Sequence, residues 1–295
     1  MVKGVLYVLA FIYALMDAQS IVSGAGDGLQ LAITVVVPSL FPFIFLSTLS
    51  AHSIGSRNIT VLRPLEKLCG MPIGSGSLLL LGLCGGYPVG AQCVARAYTQ
   101  GTLTKQDAQR LLGFCNNAGP SFIFGMVGGI LKDIRLCWFL WLGQILSAIL
   151  VGAILPGKSA ESCRLTPSRK NSVTQTLEST VYICSKIAGW VILFRVALSV
   201  AEKWFLHRLP VLWCTAVAGL LELSNGCVRL QYIDTEWLRF LLCGAMLAFG
   251  GICVHLQTKS VVGSLSIKFL LLGKVMQTLL ALPILFVLWK IIVAF

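Results

Sequence analysis

Two short strings place helix-breaking glycine and proline beside amide side chains in otherwise apolar surroundings. They are GGYPVGAQ at 85–92 and CNNAGP at 115–120. A helix that breaks at membrane depth survives only where protein or a wet cavity satisfies the freed backbone groups. The N–H groups that open each new half-helix carry partial positive charge and bind anions. These residues therefore predict the binding of a polar or anionic solute.

The amides and prolines of these strings have two interpretations. Asn116 and Asn117 add hydrogen-bond donors and acceptors that could orient a polar solute. Pro88 and Pro120 stand where a new half-helix would begin, a position that suits proline. The alternative is structural, because glycine lets helices approach closely and asparagine bonds across helices. We favour a solute site at the asparagines and close packing at Gly82.

Charged residues of the second half extend the candidate set. Arg195 lies between apolar residues within a predicted helix, and its forked guanidinium suits a carboxylate. Glu222 could be the partner of Arg195 or could carry a coupling proton. The sequence leaves open whether Arg195 binds solute or pairs with Glu222. Three lysines of this half are expected to extend towards a membrane interface: Lys186, Lys268 and Lys274.

Composition excludes a soluble globular protein. Of 295 residues, 57% are hydrophobic and 12% are charged, and the mean hydropathy is +0.86. Soluble domains carry about 25% charged residues. Long uninterrupted apolar runs predict helices, since membrane strands would alternate over about 10 residues. The chain lacks HExxH, Walker A and nucleophile-elbow motifs, so we expect no enzyme and no cofactor.

The net charge of +12 indicates membrane topology rather than nucleic-acid binding. The basic residues sit in the predicted connections, where they can contact anionic headgroups of the lipid bilayer. The 11 cysteines lack CxxC spacing, which argues against a disulfide framework or a metal site.

The predicted fold is an all-α integral membrane protein. It has about seven spanning helices plus two re-entrant hairpins, arranged as an inverted repeat with broken helices. Each half would contain a helix, a hairpin and a broken helix, with the breaks at 116–117 and 250–251. The predicted segments are a first, uncleaved transmembrane helix at 1–27, a first repeat with its connecting span at 28–156, a basic linker at 157–172, and a second repeat with the last helix at 173–295.

Basic residues predict an N-terminus inside and a C-terminus outside, because inner connections are enriched in lysine and arginine. The predicted inner connections contain Lys3, Arg57, Arg63, Lys67, Arg96, Lys105, Lys158, Arg164, Arg169, Lys170 and Lys259. The predicted outer connections contain Lys132, Arg135, Lys203, Arg208 and Arg229.

Three first-half strings together resemble the sporulation integral membrane protein family of the YlbJ type. They are GGYPVGAQ, TQGTLTKQDAQRLL and FCNNAGPSFIFG, and the second-half strings GLLELSNG and GGICVHLQ are similar more loosely. The family belongs to the nucleoside-recognition, or Gate, domain group. The resemblance runs from about residue 35 to residue 257. One departure is Gln92, where close relatives are expected to have lysine.

The resemblance implies a multi-pass protein in a forespore or mother-cell membrane of a spore-forming bacterium. It implies transport of dipicolinate across a forespore membrane, and kinship with concentrative nucleoside transporters. Two alternatives stay open, a transporter of nucleosides or other neutral solutes and a non-transporting assembly protein. The sequence also leaves open a homo-oligomer or an assembly with other sporulation membrane proteins.

The implied solute-binding residues follow the matched motifs. They are Gly86, Tyr87, Pro88, Gly90, Asn116, Asn117, Gly119 and Pro120 from the first half, and Glu222, Asn225 and Gln257 from the second. Arg195 is added to this set because an arginine within an apolar helix could bind a carboxylate, and not because of the resemblance.

Overall fold

The computed structural model describes residues 2–54, 59–157 and 172–294, so most of the predicted linker lies outside the described residues. The described residues form helices joined by turns, and they contain no extended sheet. Five helices are long and apolar enough to span a membrane: Ala18–Leu49, Ile134–Ile154, Val173–Trp204, Glu236–Val261 and Lys268–Ala294. The prediction of an all-α integral membrane protein is confirmed.

The first half contains a long helix, a hairpin, a broken helix and a simple span. After the short helix Val2–Met16, the first long helix comprises Ala18–Leu31, a π-helical turn Ala32–Val36 and Val37–Ile54. Short turns Thr60–Leu62 and Arg63–Leu68 lead to hairpin 1, which is Gly76–Gly85 and Val89–Thr99. Broken helix 1 is Lys105–Leu112, Ser121–Val127 and Gly128–Leu131, and span 1 is Ile134–Ile154.

The second half repeats this order. The second long helix is Val173–Trp204, and the turn Leu206–Arg208 follows it. Hairpin 2 consists of Val211–Leu221 and Leu223–Arg229, and the turn Leu230–Tyr232 follows it. Broken helix 2 is Glu236–Phe249 and Gly251–Val261, and span 2 is Lys268–Ala294. The two long helices pack on each other, and so do the two spans, as expected for an internal repeat.

The first helical break lies at Asp17 and not after residue 27, where the sequence placed it. The small residues around position 27 allow close helix crossing instead of ending a helix. A Cβ atom added at Gly28 would lie 2.8 Å from the Cα of Ile192, and one at Gly24 would lie 2.6 Å from the Oγ of Ser199. Glycines at such crossings let two backbones approach.

The connections show that the two repeats enter from opposite ends of the helix bundle. Hairpin 1 starts and finishes at the end that bears residues 155–157, which we call the linker end. Hairpin 2 starts and finishes at the other end, the far end, where Lys203 Nζ lies 2.8 Å from Asp17 Oδ1. The long helices, broken helices and spans then make six crossings. A seventh, as predicted, would have to be Val2–Met16, whose 15 residues extend about 22 Å.

Arg110 fastens the linker end. Its side chain is almost fully buried on broken helix 1 and donates only to backbone carbonyls. The acceptors are Cys69 at 2.7 Å, Gly70 at 3.1 Å, Gly152 at 2.7 Å, Leu155 at 3.1 Å and Pro156 at 3.0 Å. The guanidinium thus ties the base of hairpin 1 to the end of span 1.

Cysteine labelling from each side of the membrane tests this arrangement. In a background without native cysteines, cysteine at 105 or 259 should react from one side, and cysteine at 132 or 208 from the other. These positions are exposed and lie at the linker end and the far end, respectively. Labelling of all four positions from one side would contradict the inverted repeat.

Candidate functional site

The tip of hairpin 1 touches the break in broken helix 1. The helix Gly76–Gly85 ends at Gly86, whose φ of +74° favours glycine. A Cβ atom at Gly86 would lie 2.8 Å from the nitrogen of Gly119, and one at Gly119 would lie 2.7 Å from the Cα of Gly86. The two backbones therefore meet directly, and the predicted hairpin tip and break are both present.

Glycine also lets the arms of hairpin 1 close around broken helix 1. A side chain at Gly82 or at Gly90 would collide with the carbonyl oxygen of Cys115. This contact agrees with the predicted close packing at Gly82. Gly90, predicted to bind solute, takes part in the same packing in this conformation.

The second half builds an equivalent contact. Gly219 and Gly226 bring the arms of hairpin 2 together, and a Cβ atom at Gly251 would lie 3.0 Å from the carbonyl oxygen of Gly219. Gly250 and Gly251 have φ values of +88° and +78°, so broken helix 2 is interrupted where the sequence predicted. Tyr87 joins the halves, because its hydroxyl donates to the carbonyl of Leu247 at 2.6 Å.

Glu222 caps the second arm of hairpin 2. Its carboxylate accepts from the backbone nitrogens of Ser224 at 3.0 Å and Asn225 at 2.7 Å, and from the Asn225 side-chain amide at 2.8 Å. The residue is buried. Three donors within its own hairpin stabilise Glu222, and Asn225 supplies two of them.

Arg195 pairs with Asp27 and Glu202 rather than with Glu222. Its Nη2 lies 2.9 Å from Asp27 Oδ2 and its Nη1 lies 3.0 Å from Glu202 Oε1. Glu202 also accepts from Arg229. Pairing with Glu222, the alternative that the sequence left open, is not seen, because Asp27 on the facing helix and Glu202 two turns away hold the guanidinium. Arg195, predicted to bind solute, does not line the inner cavity described below. This network joins the two long helices to hairpin 2.

The two asparagines of the break in broken helix 1 form hydrogen bonds with broken helix 2, with span 2 and with the backbone just before the break. Asn116 donates to the hydroxyl of Thr258 at 3.0 Å, and Asn117 donates to the carbonyl of Phe114 at 2.7 Å. Asn117 Oδ1 accepts from Lys274 Nζ at 3.0 Å. Both asparagines are fully buried. Both amide atoms of Asn117 bind protein groups, whereas Asn116 Oδ1 has no hydrogen-bond partner within the described residues.

Lys274 corrects a prediction. It was expected to extend towards an interface, but its exposed fraction is 0%. Snorkelling and burial give the same local signal, a lone lysine in an apolar helix. The sequence offered one signal of burial, a glutamine one helical turn later at Gln277. In the structure this side chain accepts from Lys274 Nζ at 2.7 Å.

A small inner cavity lies where the tips and breaks meet. It leaves about 30 Å³ for the centres of water molecules, enough for one or two waters. Five predicted residues line it: Gly86, Tyr87, Gly119, Glu222 and Gln257. The sequence reasoning missed the remaining lining, which is Val36, Leu40, Ser121, Phe122, Ile187, Val191, Leu223, Ser224 and Val254. Pro120 only begins the helical turn that carries Ser121.

Two further cavities, a neck and a wider vestibule, adjoin the inner cavity one after the other towards the linker end. The neck shares Ile187 and Gln257 with the inner cavity, and it is also lined by the predicted Pro88. The vestibule beyond it measures about 520 Å³ and is lined by Arg96 and Lys186. Within the described residues, no acidic side chain lines the neck or the vestibule.

Comparison with known proteins adds a relative. No protein-family model and no solved structure matches the chain. The sporulation integral membrane protein YlbJ of Bacillus subtilis (strain 168) is 25% identical to this chain, and the alignment covers 89% of this chain and 76% of that protein. The chain is similar to YlbJ. The predicted resemblance is confirmed, and it supports a multi-pass membrane protein of a spore-forming bacterium with a role in sporulation.

Replacing Gly119 by alanine tests the contact between tip and break. The new methyl group would push against the backbone of Gly86, and such overpacking costs about 1–3 kcal/mol. We expect a lower melting temperature in detergent and a loss of any solute binding. Gly129→Ala is the matched control, since a Cβ atom there meets nothing within 4 Å. Equal stability and function of the two variants would disprove the contact.

Proposed function

We propose that this protein carries a small anionic solute across a forespore membrane during sporulation, with dipicolinate as the candidate. The observation that carries the proposal is the meeting of two hairpin tips with two helix breaks at a small cavity, with a cationic vestibule beyond an adjoining neck. The similarity to YlbJ supports the sporulation setting. The Gate resemblance in the motifs agrees with a transporter.

The backbone breaks favour transport over a purely structural role. Non-helical backbone at membrane depth persists where it is buried in protein or lines a cavity, and broken helices in inverted repeats form the solute sites of many transporters. Here the inner cavity is lined by Gly86 of the hairpin tip, Gly119 of the break and Ser121 of the helical turn that follows it. A static assembly protein would need neither the breaks nor an adjoining neck and vestibule.

The vestibule favours an anion. Arg96 and Lys186 line it, and neither forms a salt bridge within the described residues. Low-dielectric walls around charges of one sign concentrate counter-ions and speed their entry. Glu222 at the inner cavity opposes an anion, but its oxygens already accept from three N–H groups. The fixed carboxylate would then contribute to selectivity more than to attraction.

The small inner cavity indicates a conformation that is closed around the site. A planar dicarboxylate does not fit into about 30 Å³, so binding requires the hairpins and the broken helices to separate. In inverted-repeat transporters one repeat moves against the other around a fixed site. The vestibule at the linker end is then the approach from the inner side, as the distribution of basic residues predicts.

A nucleoside or another neutral solute is the second candidate. The inner cavity offers the neutral hydrogen-bonding groups of Ser121, Ser224 and Gln257, and its one charged lining residue is a carboxylate. Such a lining suits hydroxyl and amide groups of a neutral solute.

Uptake into proteoliposomes separates these candidates. Labelled dipicolinate and labelled uridine are offered to the wild-type protein and to Arg96→Gln, Lys186→Gln and the double variant. We expect dipicolinate uptake, reduced at low salt by roughly tenfold in the double variant, the lower end of electrostatic steering effects. Arg208→Gln is the control, because this exposed basic residue lies at the far end, away from the vestibule.

Each outcome decides between the proposals. Uptake of uridine without dipicolinate would replace the anion by a neutral solute. Uptake of neither solute would disprove both named candidates. Dipicolinate uptake that the double variant leaves unchanged would remove the role of the vestibule.

A further inference from the structure

Lys274 places an amine at the centre of the protein without an acidic partner. It lies in span 2, is fully buried, and forms no salt bridge within the described residues. Its Nζ donates to Asn117 Oδ1 at 3.0 Å and to Gln277 Oε1 at 2.7 Å. Both acceptors are neutral amides. Every other buried basic side chain described above is held by carbonyls or carboxylates of fixed geometry.

The number of acceptors fits both protonation states. A neutral amine has two N–H groups and an ammonium has three. Two amide oxygens satisfy the neutral form completely, and the third N–H of the charged form can point at the ring of Tyr87, whose centroid lies 5.6 Å from Nζ. An ammonium over an aromatic face is attracted by the ring quadrupole. The site therefore accommodates the amine with or without its third proton.

Tyr87 connects this amine to the solute cavity. The tyrosine lines the inner cavity, and its hydroxyl is fixed to Leu247. An anion in the cavity would thus lie across one aromatic ring from Lys274. In a dry site, an anion and an ammonium attract each other more than they would at the same separation in water.

Few other titratable groups face Lys274. Tyr87 of hairpin 1, Cys115 of the first break and His255 of broken helix 2 are within its electrostatic reach. The charged groups on the helices that pack against span 2 are bound or exposed elsewhere: Asp107 at Thr104, Arg110 at the linker-end carbonyls, Arg135 at Asp133, Arg239 at Ile233, Lys259 at Gly263, Lys105 and Glu236.

We propose that Lys274 is the coupling-proton site of this protein. The neutral amine takes up one proton as an anion enters the inner cavity, and the resulting ammonium releases it when the anion leaves. The proton accompanies the anion and offsets one unit of its negative charge inside the membrane. This inference rests on the proposed anion transport, and Lys274 acts without touching the solute, through Tyr87 and Asn117.

Proton uptake on ligand binding tests the proposal. Purified protein in lightly buffered detergent solution with a pH indicator is mixed with dipicolinate, and bound dipicolinate is measured in parallel. We expect about one proton taken up per anion bound, since Lys274 is one titrating amine. Lys268→Gln, an exposed lysine on the same helix, should behave like the wild type.

Two variants isolate Lys274. Lys274→Gln should bind without proton uptake, but a variant at a buried position can fail to fold. Asn117→Asp covers that case, because a carboxylate beside Nζ keeps the amine charged in both states. The variant loses the donation from Asn117 Nδ2 to the carbonyl of Phe114, so we expect a lower melting temperature. The folded protein should bind dipicolinate and take up no proton. His255→Gln should retain proton uptake.

The outcomes separate this inference from the transport proposal. Dipicolinate binding by the wild type without proton uptake overturns the role of Lys274 and leaves the transport proposal standing. Proton uptake that persists in folded Asn117→Asp, or disappears in His255→Gln, also overturns it. Absence of dipicolinate binding to the wild type overturns the anion proposal and this inference together.

Discussion

Direct contact between backbones at glycine is the constraint on which the rest of the structure depends. In a bilayer, every freed N–H and C=O group must find a partner inside the protein. Gly86 against Gly119, and Gly219 against Gly226 and Gly251, let the backbones of the hairpins and the broken helices pack directly on each other. The long helices and spans surround these contacts and exclude lipid from them. A broken helix is stable here because a hairpin tip packs over the break.

Most of the buried charged or ionisable side chains described above form hydrogen bonds with neutral polar groups and not with groups of opposite charge. Arg110 donates to five carbonyls, Glu222 accepts from three N–H groups, and Lys274 donates to two amides. Arg195 differs because it pairs with carboxylates of two elements. The dipole-bound groups are the ones around the hairpins and breaks. We infer that they keep this region polar without cancelling the charge of a solute.

The features that depend on local sequence could be predicted, whereas those that depend on packing partners could not. Clustered glycine and proline, or glycine pairs, within apolar runs predicted the hairpin tip at Gly86 and the breaks at 116–117 and 250–251, since such clusters weaken a helix locally, whereas the single prolines Pro42 and Pro283 remain within helices. The partners of Arg195 depend on which face of the first long helix meets the second. Lys274 illustrates the same limit, because an apolar helix with one lysine looks identical whether that lysine reaches an interface or a buried amide.

The most direct measurement is a structure of the protein in lipid nanodiscs with dipicolinate, determined by electron cryomicroscopy. The account predicts density for the ligand between Gly86–Tyr87, Gly119–Ser121 and Glu222–Ser224, with the hairpin tips moved apart and the Arg110 contacts retained. A dry, fully packed centre at saturating ligand, or ligand density at any other place, would contradict it.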